Sequence, residues 1–197
     1  MLGKTHQQFE RAERAYDRAI GLIRSMDETF QRAAFREEGR TGYDTRITLY
    51  QFDLILQAIL LNMALIDGNF HRLERRLIQR ITDYGDLTAY LRREGSFGPE
   101  LSWDSLAALP APEQRRLLEQ LPDVLERTCR SFVQPLALVD ASERSVDFLE
   151  RLEGELAEIA RSLSDVDGVP RSEEMEAYVL MQEHLLTRRW KLIKAGA

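Results

Sequence analysis

Leu49-Tyr-Gln-Phe-Asp-Leu-Ile-Leu-Gln-Ala-Ile-Leu-Leu-Asn-Met-Ala-Leu-Ile66, followed by Asp67-Gly68, is the stretch whose reading decides the fold. It is too long for a single strand. Phe52, Ile55, Leu56, Ile59, Leu60 and Met63 recur at the three- and four-residue spacings of a helix, on a face broad enough to predict a central, largely buried one. Gly68 supplies the left-handed backbone that ends helices, so a corner is expected after Ile66. Periodicity then resumes through Leu73, Leu77, Ile78 and Ile81, which predicts a second helix folded back as a hairpin.

Working outward, residues 5–38 place Phe9, Tyr16, Ile20, Ile23, Phe30 and Ala34 on one side of a long amphipathic helix, stopped at Gly39-Arg-Thr-Gly42. Residues 86–112 hold Gly95, Gly98, Pro99, Pro110 and Pro112 and read as irregular, although Ser102-Trp-Asp-Ser105 suits the start of a short helix. Pro112 and Pro122 suit the first turns of helices, and Pro135 is expected to kink or split a helix beginning near Asp123. Two further helices are expected over 145–166 and 172–193. The fold class that follows is all-α, a bundle of about seven to eight helices in one domain, 1–197. Its parts are an N-terminal helix and linker (1–48), a first hairpin (49–85), an irregular insertion (86–122), and a middle helix with a second hairpin (123–197).

Composition narrows the functional classes. The formal net charge is -6 and acidic and basic residues are interleaved, which argues against a general nucleic-acid binder. The lone Cys129 has no internal disulfide partner and suits a buried thiol in a reducing compartment. The opening MLGKTHQQFE lacks the apolar core of a secretion signal, and the longest apolar run is interrupted by Gln57 and Asn62, so a cytoplasmic chain without a membrane span is expected.

Shifting the chain against itself by one hundred residues brings Asp67 onto Asp167, Gly68 onto Gly168 and Glu74 onto Glu174. Phe52, Leu56, Ile59, Met63 and Ile66 then fall on Leu152, Leu156, Ile159, Leu163 and Val166, and Leu77, Ile78 and Ile81 on Ala177, Tyr178 and Met181. Two pseudo-repeated helix-corner-helix hairpins are therefore expected. Each corner reads Asp-Gly, an apolar link (Phe70, or Val169-Pro170), then Glu near the start of the next helix, where a carboxylate suits the positive end of the helix dipole. His71 and Ser172 are the expected caps.

This apolar helix, Asp-Gly, apolar residue and Glu, occurring twice, resembles the TerB-like family of helical domains associated with tellurite resistance. The resemblance covers residues 52–84 and 148–184. It implies a small cytoplasmic all-α module that acts by interaction in a stress response, with a protein partner such as an AAA-type ATPase, and it implies no enzyme. It also implies acidic corners able to hold a divalent metal. Arg171 stands where the first corner has His71, a departure from a shared metal site.

The candidate ligands are Asp165, Asp167, Glu173 and Glu174 at the second corner and Asp67 and Glu74 at the first, oxygen donors suited to calcium or magnesium. Against an EF-hand loop Gly168 and Glu174 are correctly spaced, but Leu163 occupies the first ligand position. A zinc site would join His71 to Asp67 and Glu74, yet His6 and His184 have no partners at ligand spacing. No Ser or Cys sits in a nucleophile motif and no glycine-rich phosphate loop is present. Arg72, Arg75, Arg76 and Arg80 read as a solvated face paired with Glu74 or Asp83, and Arg188-Arg-Trp-Lys-Leu-Ile-Lys194 as basic residues at a helix end. The expectation is a non-catalytic interaction module with contact surfaces at residues 97–103 and the acidic corners; the second reading is a divalent-metal sensor.

Overall fold

The computed structural model describes residues 2–37, 44–66, 70–95, 97–142, 148–167 and 172–181. Those residues form eight helices and no strand: α1 (Leu2–Glu37), α2 (Thr45–Leu65), α3 (Arg72–Ile81), α4 (Leu87–Arg93), α5 (Trp103–Leu106), α6 (Ala111–Ser142), α7 (Phe148–Ser164) and α8 (Ser172–Met181). The protein is an all-α bundle.

The apolar stretch forms α2, started by Asp44, whose side chain accepts from the Arg46 N–H at 2.9 Å. It is the hub: α6 and α8 pack on it most extensively, and α1, α7, α3 and α4 also touch it, while α1 lies along α7. Phe52, Ile55, Leu56, Ile59, Leu60 and Met63 are all buried, each contributing roughly 1.5–3 kcal/mol of apolar burial. The Phe52 ring lies 6.2 Å from that of Tyr16 and 6.0 Å from that of Phe132, which ties α1, α2 and α6 together. By length and composition α2 is apolar enough to cross a membrane, but 78% of its most apolar window is buried inside the bundle, as suits a core helix. Gln57, which interrupts the run in sequence, is itself buried there.

Two polar residues on α2 fix the link that follows α3. Asp53 is fully buried and accepts from the Tyr16 hydroxyl (2.9 Å), Tyr84 N–H (2.6 Å) and Gly85 N–H (3.0 Å). One turn on, Gln57 donates to the Gly85 carbonyl (2.8 Å) and accepts from Leu87 N–H (2.7 Å). Glycine is required at 85, because a Cβ there would lie 2.8 Å from the Tyr50 carbonyl oxygen and 2.9 Å from the Asp53 Cβ. Asp86 then caps α4, its carboxylate accepting from Thr88 N–H (2.9 Å) and Ala89 N–H (3.3 Å).

The structure departs from the sequence expectation in three places. Residues 87–93, read as irregular, form α4, because Asp86 starts a short helix whose Leu87 and Leu91 reach the core. The middle helix begins at Ala111 rather than near Asp123 and runs unbroken through Pro122 and Pro135. An interior proline removes one backbone donor, and buried Leu117, Leu121, Val124 and Leu125 on both sides of Pro122 offset that local loss. Arg80 pairs with Glu13 of α1 rather than with Asp83, and Arg75 meets Asp104 at 3.2 Å. The short helix expected at Ser102 forms as α5, with a reciprocal Ser102–Ser105 capping box. The Cys129 side chain, Gly39 to Gly42, both corner glycines, Val169-Pro170, Arg171, and everything from residue 182 onward lie outside the described residues.

Candidate functional site

At the first corner Phe70 is buried and His71 caps α3. The His71 Nδ1 accepts from Leu73 N–H at 3.2 Å, and the Glu74 Oε2 accepts from His71 N–H at 2.7 Å, a capping box with imidazole in the place of the usual hydroxyl. That bond occupies the Nδ1 lone pair, so any metal would have to take His71 through Nε2. Glu74 is only 3% exposed.

At the second corner Glu174 holds the matching place in the first turn of α8 and is 4% exposed. The two corners, a hundred residues apart in sequence, come within each other's electrostatic field. Burial pushes the Glu74 carboxyl up to about 8 against the His71 hydrogen bond that lowers it, and the charges of Glu174 and Asp167 push it further the same way. The buried carboxyls of Glu74 on α3 and Glu174 on α8 thus lie within electrostatic reach of one another, with half-buried Asp167 also in reach of Glu74. Like charges so placed are relieved by a proton on one of them or by a cation between them.

The other expected ligands divide. Asp165 is half-buried and lies close enough to Arg11 for its charge to help hold that guanidinium protonated, beside the dominant bidentate pair of Arg11 with Glu158 at 2.5 and 2.9 Å. Glu173 is exposed and accepts from the Ser172 hydroxyl at 3.3 Å. Asp67 lies outside the described residues. Among the described residues no three His, Cys, Asp or Glu side chains stand close enough together to hold a metal ion. The described donors therefore do not complete a cation site.

A second feature lies beside α4. Ala89, Arg92 and Arg93 of α4, with Phe97 and Pro99 of the following loop, line an open cleft of about 450 Å³. The Arg92 guanidinium donates to the Leu101 carbonyl, and that of Arg93 donates to the Tyr50 hydroxyl and lies 6.0 Å from the Tyr50 ring centre. From α6, Arg116 stands 5.4 Å over the Phe97 ring. Sequence reasoning pointed to residues 97–103 as a contact surface, but it missed the three arginines. Their only sequence signal was the pair Arg92-Arg93 at the end of a helix that was not foreseen.

The chain matches no family model, no curated protein and no solved structure. What the fold defines is the class, an all-α helical bundle with a buried acidic junction at one place and a basic-rimmed apolar cleft at another.

Proposed function

We propose that this chain is a non-catalytic, TerB-like interaction module of the cytoplasm, an accessory part in a stress response that works by holding a protein partner. The observation that carries the proposal is the cleft beside α4, where half-buried Ala89 and Phe97 and exposed Pro99 stand beside Arg92 and Arg93. Its volume falls in the range of sites that accept a side chain or small group, and apolar surface ringed by polar groups is the usual make-up of an interface. The resemblance at the two corners supports the family half of the reading, and an AAA-type ATPase is the partner class it suggests. A photo-crosslinking phenylalanine analogue placed at position 97 tests it in cells. A discrete crosslinked protein from position 97, missing when the analogue stands at exposed Gln79 on α3, is the expected result; no product from position 97 would overturn the reading.

A second reading, a calcium or magnesium sensor, is favoured by one observation, the like charge that Glu174 and Asp167 bring to bear on buried Glu74. Asp67, Asp165 and Glu173 complete its donor set as the sequence proposes it. A cation there would bind only the folded chain and so raise its melting temperature. Calorimetric titration of the metal-free protein with calcium, magnesium and zinc, alongside thermal melts of Asp167→Ala, tests the reading. Heat and a stabilisation that the substitution abolishes support it, and silence for all three metals ends it.

A further inference from the structure

Resting on the interaction reading, we propose that the cleft beside α4 takes an acidic peptide segment that carries one aromatic anchor. The two arginines that line it and the one that stands over its Phe97 ring are held by neutral groups: Arg92 by the Leu101 carbonyl, Arg93 by the Tyr50 hydroxyl and ring, and Arg116 by the face of Phe97. Carbonyls, phenols and ring faces fix the direction of a guanidinium without cancelling its charge. The nearest acid in sequence to Arg93 is Glu94, and it is engaged elsewhere, by Arg127 at 2.8 Å. Arg92 and Arg93 on the lining and Arg116 over the Phe97 ring thus place three positive charges at one apolar surface, against the single carboxylate of Glu100 folded over Gly98, on a chain whose net charge is -6.

Each element of the occupant follows from a feature of the cleft. Oriented guanidinium groups with unused N–H donors pair best with carboxylates, bidentately and in a plane. The exposed parts of Phe97, Pro99 and Ala89 reward an aromatic ring, which can lie against the Phe97–Arg116 stack and gain both area and cation–π attraction. The cleft is open rather than enclosed, so its occupant continues beyond it. That favours an extended chain over a small anion, which would keep most of its surface in water.

The test uses the full-length protein and short fluorescent peptides, measured by anisotropy: one of Glu and Ser with a central Trp, the same with Lys for Glu, and the same with Ala for Trp. The expected order places the acidic Trp peptide tightest, with affinity that falls as salt rises. Arg93→Gln and Arg116→Gln, both at exposed positions, should each weaken it by roughly tenfold, the scale of one charge-assisted hydrogen bond, and leave the melting temperature unchanged. Absence of saturable binding, equal binding of the Lys peptide, or undiminished binding by both variants overturns the proposal. So does displacement of the peptide by inorganic phosphate at similar concentration, which would mark a general anion site. A crosslink from position 97 that persists when the acidic peptide shows no preference sinks this inference alone; loss of both sinks the interaction reading with it.

Discussion

Glu74→Gln is expected to make the protein more stable at neutral and alkaline pH. Burial, with Glu174 and Asp167 adding like charge, holds the Glu74 carboxyl at about 8 in the folded chain, whereas its ordinary value is 4.5. Between those two values the folded state keeps a proton that the unfolded chain has released. Stability linked to this group is therefore present in full below about 4.5 and is lost as pH rises through about 8. At pH 7 the loss is on the order of 3 kcal/mol. Glutamine removes the charge and keeps an amide oxygen where the Glu74 Oε2 now accepts from His71 N–H, so the cap of α3 survives. For a chain of this size the gain corresponds to a melting temperature higher by about 6–12 °C at pH 7, somewhat more at pH 8 and shrinking to a few degrees near pH 5. Thermal melts followed by far-ultraviolet circular dichroism, with chelator present, would measure both chains across that range. Parallel pH profiles, or a variant that melts lower than the parent at pH 8, would refute the claim that a buried, like-charged carboxyl sits at the corner junction.

Asp53→Ala should cost about 2–4 kcal/mol in chemical denaturation, since it strands the Tyr16 hydroxyl and the Tyr84 and Gly85 N–H groups; Asp53→Asn, which keeps one acceptor oxygen, should cost less. The parent should also gain stability as pH falls from about 6 toward 4, because desolvation raises the Asp53 carboxyl from 3.8 to about 6 against its three hydrogen bonds; Asp53→Asn should flatten that slope. Gly85→Ala should cost about 1–3 kcal/mol in the same assay, because its Cβ would meet the Tyr50 carbonyl at 2.8 Å and the backbone must shift to admit it. A double-mutant cycle on Arg11 and Glu158 should return about 1 kcal/mol or less, as both groups remain partly exposed.

The long amphipathic helices were legible because apolar residues at helical spacing leave few alternatives. Periodicity alone starts α2 four residues late and α1 three late; α3 starts at the expected cap, His71, whereas Ser172, expected to cap α8, is its first helical residue and its hydroxyl donates to Glu173 instead. α4 was not legible for a physical reason: a seven-residue helix carries too few turns to show a period, and the glycines and prolines around it outweigh that signal. The start of α6 is obscured by its prolines: Pro112 does stand in the first turn, but packing on both flanks carries the helix through Pro122, which by local chemistry suits a start of its own. At the corners the sequence located each glutamate at a helix start. The electrostatic reach of Glu174 to Glu74 depends on how α3 and α8 are placed around α2, which no single stretch encodes. Asp53 was overlooked within an apolar run, and Gln57 was taken for an interruption, although two polar residues one turn apart on the most buried helix are the pattern of a buried side chain serving a nearby loop.

That pair of residues also bears on the cleft. The link it fixes, residues 83–86, ends in the cap of α4, and α4 carries Ala89, Arg92 and Arg93. α4 has few contacts of its own with the bundle, chiefly with α2, so its position depends on the hydrogen bonds at Asp53 and Gln57 as much as on burial of Leu87 and Leu91. A surface built this way should respond to a change in the core that leaves the surface residues intact. Asp53→Asn, folded and only modestly destabilised, should therefore weaken the acidic Trp peptide several-fold, although Asp53 lies beneath the link and lines no part of the cleft. Were the peptide to bind that variant as tightly as the parent, the link would be a passive connection and α4 would be placed by its apolar side chains alone.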